Sequence, residues 1–215
     1  MSLDGNMLKS IAAAIEGGSS GTQVASWDDL AQGCNDACLL LGFKTYEGYA
    51  TLIANCCQES AYFRTTEEYD QDNEYAPYIG RTFIQVTWKD NYAAFGDYAV
   101  KRKLEGLTDD DYFVDNPEKL ADFKWAWWGP CWYFSKTWDG ETLVEIADTW
   151  DDPNTAVAKA INMGSPTSPN TPGGMKDRDK LFDKACSYGP DLMPTSGGVL
   201  GLTKIEMHHY SGAGS

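Results

Sequence analysis

The chain has 215 residues, with 32 Asp+Glu against 17 Lys+Arg and a formal net charge of -15. That length can bury a substantial core in one domain, and so acidic a chain disfavours nucleic acid and anionic membrane surfaces, both polyanions. Eight Trp and 12 Tyr suit a neutral or mixed-charge ligand, and no apolar run reaches the roughly 18 residues of a membrane span.

Residues 1–25 read as a flexible leader with a short apolar stretch, Ile11 to Ile15, too short for a signal peptide. The first firm helix is predicted from Ser26, where Ser26-Trp27-Asp28-Asp29 has the form of a capping box, to Leu41, with Gly42 as its stop. A second helix is predicted from Tyr46 to about Ser60, because Tyr49, Leu52, Ile53 and Cys56 recur at helical spacing. Residues 64–78 are polar and irregular. Phe83 to Thr87 alternates with period two and predicts a short strand. A helix through Tyr92, Phe95, Tyr98 and Ala99 follows. Another starts at Pro117, with Asn116 as N-cap, and carries Leu120, Phe123, Trp127 and Tyr133. Short helices are predicted over 142–147 and 153–160. A Pro/Ser/Thr/Gly loop fills 164–174, and a last helix spans about 175–186. Residues 189–215 read as a linker or tail, with His208 and His209 as exposed tail residues. The fold class is mainly α, with a small β element.

Six cysteines, Cys34, Cys38, Cys56, Cys57, Cys131 and Cys186, match no common zinc spacing. They read as buried thiols acting as small apolar residues, with a disulfide or a metal site as the alternatives. No metal site and no cofactor is assigned.

The chemistry gathers around residues 58–91. Glu59 ends a mostly apolar helix and precedes Tyr62 and Phe63. Partial burial there would favour a protonated carboxyl suited to general acid catalysis. Glu67 and Glu68 lie in a polar stretch where a carboxylate stays ionised. In extended backbone, adjacent side chains point apart, so only one of them faces the same side as Glu59. Gln85 and Thr87 would share one face of the predicted strand. Thr87 offers a hydroxyl to a water, and Gln85 and Asn91 offer amides to sugar hydroxyl or acetamido groups. Arg81, beside Gly80, reads as a structural ion pair to the acidic loop or as a group tuning the carboxyls. Two carboxyls in unlike surroundings are what a glycosidase requires.

The segments Cys56-Cys57-Gln58-Glu59-Ser60-Ala61-Tyr62-Phe63 and Tyr78-Ile79-Gly80-Arg81-Thr82-Phe83-Ile84-Gln85-Val86-Thr87-Trp88, with Glu67-Glu68 between them, resemble glycoside hydrolase family 19. Plant and bacterial chitinases and many phage endolysins belong to that family. Its motifs read His-Glu-(Ser/Thr)-Gly-Gly-Phe and Gly-Arg-Gly-(Phe/Pro)-Ile-Gln-(Leu/Ile)-(Ser/Thr). Asn116-Pro117 with Ala126-Trp127-Trp128, Ile161-Asn162-Met163-Gly164, and Asp177-Arg178 near Phe182 resemble further family segments, so the likeness runs over about residues 26–187. Gln58 stands where the family has His, Ala61-Tyr62 where it has Gly-Gly, Thr82 where it has Gly, and Met163 where it has a second Gly.

The resemblance implies a lysozyme-like α+β fold, with a catalytic domain over 26–188 and the small β element beside the cleft. It implies an inverting mechanism: Glu59 as general acid, Glu68 as general base at the endolysin spacing, and Thr87 positioning the water. Glu67 is the competing base. Gln85, Asn91, Asn162, Tyr62, Arg81 and Arg178 would serve substrate binding. The departures from the motif suggest the phage endolysin branch. The expected substrate is the glycan strand of peptidoglycan, cut at β-1,4 bonds between N-acetylated amino sugars, by a monomer that neither binds nucleic acid nor inserts into membrane. The expected location is the host bacterial cytoplasm until release to the wall, or outside the cell if the chain is part of a larger secreted protein. Alternatives are a chitinase, a catalytically silent wall-binding module, and a virion component that uses the fold to penetrate the wall.

Overall fold

A computed structural model describes residues 2–194. Its elements in chain order are α1 (Gly5–Ala12), α2 (Trp27–Leu41), α3 (Tyr46–Glu59), α4 (Lys89–Lys101), α5 (Tyr112–Asp115), α6 (Trp128–Phe134), strands β1 (Thr137–Trp138) and β2 (Glu141–Thr142), α7 (Leu143–Thr149), α8 (Pro153–Met163) and α9 (Met175–Cys186). No helix among the described residues is long and apolar enough to cross a membrane. The tail beyond residue 194, with His208 and His209, lies outside the described residues.

The helix ends follow local chemistry. Ser26 Oγ accepts from the Asp29 amide at 3.1 Å and caps α2, which stops at Gly42 in the left-handed region, φ 74°. Thr45 Oγ1 accepts from the Gly48 amide at the start of α3. Thr142 and Glu145 form a full capping box on α7. Asp139 and Gly140, φ 50° and 92°, turn β1 back on β2. Positive φ at both central residues is what the favoured two-residue hairpin turn requires.

The middle of the molecule is α3. Every residue from Gly48 to Cys57 is buried, as expected of a helix walled on all sides. It packs against α7, α8 and α9, and α1 packs against α2. Glu59 therefore leaves the core at the end of a helix fixed by its neighbours. A ring cluster holds the segment that follows: Phe63 lies 5.2 Å from Phe83, and Phe83 lies 4.9 Å from Trp127, ring centre to ring centre.

Four expectations are corrected. Residues 2–25 are not a flexible leader: Leu3, Leu8, Ile11, Ala12 and Ile15 are buried, and the Leu3 amide donates to the Leu192 carbonyl at 3.2 Å. That same contact ties residues 189–192, expected to be tail, to the core, where Leu192 is fully buried. The strand predicted over 83–87 is a tight turn: Arg81 and Val86 exchange two backbone hydrogen bonds, 3.0 and 2.7 Å, and Thr82 and Gln85 have φ of 67° and 55°. Ile84 and Val86 are buried and Gln85 and Thr87 half-buried, which gives the turn the alternation of a strand. The helix predicted from Pro117 breaks into short 3-10 turns at Pro117–Ala121 and Phe123–Trp125 before α6.

All six cysteines are free thiols, five of them buried. Burial pushes the Cys34 thiol up to about 12 and raises those of Cys38, Cys57 and Cys131 further still. They are small core residues with little thiolate character. Among the described residues no group of three or more His, Cys, Asp or Glu could hold a metal.

Candidate active site

Glu59 does not end in an apolar pocket. Its Oε1 accepts from Arg178 Nη2 and from Asn162 Nδ2, the latter at 3.1 Å. Only 15% of the Glu59 side chain and 3% of the Arg178 side chain are exposed, so the pair is poorly screened by salt. The expectation of an isolated carboxyl beside an apolar helix is corrected here: the neighbour is a guanidinium. Oε2 of Glu59 accepts no hydrogen bond among the described residues.

The guanidinium is itself held. Arg178 Nη1 donates to Asn55 Oδ1 at 2.6 Å and Nε donates to the Gly173 carbonyl at 3.1 Å. Asn55 is fully buried and donates to Asn154 Oδ1 at 3.3 Å and the Thr51 carbonyl at 2.9 Å. Asn162 Oδ1 accepts from the Gly173 amide at 3.0 Å, so one asparagine fixes both the acid and the start of α9. α3, α8 and α9 thus meet at one carboxylate oxygen.

Glu68 has different company. Its carboxylate accepts from the Tyr75 hydroxyl at 3.0 and 3.2 Å, from Asn73 Nδ2 at 3.3 Å and from the Gly80 amide at 3.1 Å. All are neutral donors. Glu67 points the other way and pairs with Arg81 at 2.7 Å. Arg81 is buried and also donates to the Pro77 carbonyl and the Tyr92 hydroxyl. Of the two readings of Arg81, the structure supports the ion pair, with Nε on Glu67 and Nη1 on Pro77 and Tyr92. Glu67 is thus engaged by a cation and by Gln71, whereas the partners of Glu68 among the described residues are neutral.

The turn over 81–86 sets the polar row. A Cβ on Gly80 would lie 2.2 Å from Gln85 Oε1, so glycine lets that amide close over the backbone. Thr87 Oγ1 donates to the Gln85 carbonyl at 2.8 Å, and Asn91 Nδ2 donates to the Thr87 carbonyl at 2.8 Å. Gln85, Thr87 and Asn91 therefore come together, through a turn and the first turn of α4 rather than through a strand. Tyr62 stands apart from the Glu59 bonds, with its ring 5.4 Å from the Arg64 guanidinium carbon.

The sequence reading passed over four residues. Lys136 Nζ donates to Asn91 Oδ1 at 3.1 Å and sits 4.0 Å over the Trp132 ring. Burial lowers its pKa. Its only sequence signal is a lysine directly after the uncharged aromatic run 129–135. Tyr75 and Asn73, which serve Glu68, lie in a loop with no pattern. Asn55 is hidden on a helix read as apolar.

No protein-family model matches the chain. Its fold is similar to that of chitinase C from Streptomyces griseus HUT6037, with a TM-score of 0.59 and 18% sequence identity over 89% of this chain and 97% of that one. A Glu-to-Gln variant of chitinase C aligns with a TM-score of 0.58 at 16% identity, over 89% and 97% of the two chains. The mainly helical, lysozyme-like α+β fold expected from the sequence is the fold observed.

Proposed function

We propose that this chain is a glycoside hydrolase that cleaves β-1,4 bonds between N-acetylated amino sugars of bacterial peptidoglycan, by acid/base hydrolysis with inversion: an endolysin. The observation that carries it is a pair of carboxyls in unlike surroundings, Glu59 with one oxygen bonded by Arg178 and Asn162 and the other open among the described residues, Glu68 met by neutral donors. The chitinase-like fold supports it.

Glu59 delivers a proton from Oε2, the oxygen that accepts no hydrogen bond among the described residues, to the leaving glycosidic oxygen as that bond breaks. A water held by Thr87 attacks the anomeric carbon from the opposite face and yields its proton to Glu68. The Thr87 hydroxyl already donates to the Gln85 carbonyl, so its oxygen is free to accept from that water. Gln85, Asn91 and Asn162 grip hydroxyl and acetamido groups on either side. The chain acts as a monomer and stays in the host cytoplasm until release to the wall.

Purified protein is expected to clear a peptidoglycan suspension. Glu59→Gln and Glu68→Gln are each expected to lose about 10²–10⁴ in rate; Glu59→Gln also removes the charge partner of the buried Arg178 and is expected to melt lower, so its activity is read below that melting transition. Reducing-end analysis of the products identifies the bond cut. The fold likeness to chitinase C favours a second reading, a chitinase, and turnover of chitin oligomers without peptidoglycan would establish it. Wall binding by wild type with no turnover of either polymer would sink the enzymatic reading.

A further inference from the structure

Trp88 is an anomaly next to the site. Its φ is 75° and 51% of its surface is exposed. With ψ at 142° it sits in a region almost reserved for glycine, and an exposed ring recovers little of that strain by burial. The backbone is held there regardless: the Trp88 amide donates to the Tyr78 carbonyl at 2.9 Å, and the Trp88 carbonyl accepts from the Asn91 and Tyr92 amides. Sterics alone would favour glycine at such a position. About half of the residue's surface stays open to a ligand.

The neighbour of Trp88 indicates what kind. The Trp88 and Tyr75 rings lie 4.9 Å apart, centre to centre, inclined at 57°. The Tyr75 hydroxyl is the donor to both Glu68 oxygens. Its pKa is raised, first by burial and then by the Glu68 bond, so it remains a donor. An exposed indole thus touches the side chain that holds the candidate base.

Resting on the function proposed above, the geometry points to Trp88 and Tyr75 as a sugar platform coupled to Glu68. The apolar face of an amino-sugar ring stacks on Trp88. The stacked sugar presses the indole on Tyr75, and Tyr75 holds the Glu68 carboxylate toward the water. Trp88 is then a substrate-binding residue and Tyr75 a positioning residue. Their variants should separate in kinetics, because lost uniform binding raises KM whereas lost positioning lowers kcat.

The test uses soluble oligomers of N-acetylglucosamine and peptidoglycan fragments. Trp88→Gly suits the positive φ and keeps the fold, as a melting curve checks. It is expected to raise KM about tenfold, with Trp88→Tyr restoring most of the loss. Tyr75→Phe keeps the ring contact and removes the hydroxyl, and is expected to lower kcat about tenfold at unchanged KM. Oligomer binding is measured separately by calorimetry in Glu59→Gln protein, with and without Trp88→Gly. Equal binding with and without the Trp88 ring overturns the platform. A Tyr75→Phe enzyme with wild-type kcat overturns the coupling. If wild type turns over neither polymer while Trp88→Gly still weakens oligomer binding tenfold, the platform stands and the hydrolase reading falls.

Discussion

The two carboxyls sit in regions built on opposite principles. Glu59 is held by α3, α8 and α9 through side chains far apart in sequence; Arg178 is 119 residues from it. Its partner is a charge, and that charge is anchored by a fully buried amide, Asn55. Glu68 is held almost entirely by its own loop, through Asn73, Tyr75 and Gly80, all within 12 residues. Its donors are neutral and its surroundings half-buried. The acid region is part of the core. The base region is a loop pinned at one side by the Glu67–Arg81 pair and by Phe83. The proposed hydrolysis with inversion would use such an asymmetry, because its base must leave room for a water.

The largest effects beyond the carboxyls themselves should fall on the acid side. Arg178→Met removes the cation from a carboxylate only 15% exposed and leaves Asn55 Oδ1 without its donor. Removing one member of a buried pair costs about 3 kcal/mol, and chemical denaturation should read that loss together with a steep fall in turnover. A stable, active Arg178→Met protein would mean that the acid region is not the rigid half.

Next in size is Glu67→Gln. The Glu67 side chain is 28% exposed, and Arg81 keeps the Pro77 carbonyl and the Tyr92 hydroxyl. A charge-assisted bond of this kind contributes about 1.5 kcal/mol. The expected outcome is a modest drop in melting temperature with most activity retained, the reverse of Glu68→Gln. A Glu67→Gln enzyme that is stable but dead, beside an active Glu68→Gln, would exchange their roles.

The same division explains what could be read from the chain alone. The caps at Ser26, Gly42, Thr45 and Thr142 are local, and α2, α3 and α7 follow from them. Glu59, Glu68 and Thr87 came from short segments with recognisable chemistry. Asn162 and Arg178 were also named from short segments, but for substrate; their contact with Glu59 was not legible, because a hydrogen bond such as that from Arg178 to Asn55 spans 123 residues and leaves no period in either helix. The 81–86 turn was misread because Ile84 and Val86 are buried on either side of Gln85, and because its positive φ values fall on Thr82 and Gln85, which do not signal a turn. Hydrophobic period reports burial, and here burial was bent around a turn.

Those positive φ values give the finest probe of the comparison. Ala61, Tyr62 and Thr82 have φ of 48°, 67° and 67°. They stand where the resembling motif carries glycine. On the acid side, Ala61 is half-buried and directly follows Ser60, whose Oγ caps the bend by accepting from the Phe63 amide at 2.9 Å. Ala61→Gly relieves about 1–2 kcal/mol of left-handed strain and gives back about 0.5–1 kcal/mol to the freer unfolded chain. It loses one methyl group, so a net gain of about 0.5 kcal/mol is expected. On the base side, Thr82 carries the same strain but is fully buried, and a Cβ on Gly129 would lie 2.0 Å from its Oγ1. That side chain fills the space over α6, so Thr82→Gly opens a cavity whose cost exceeds the strain relieved. A net loss of about 1 kcal/mol is expected. Opposite signs in the two melting curves would show that the acid-side strain is uncompensated while the base-side strain is held by packing. Equal signs would show that the two bends are energetically alike.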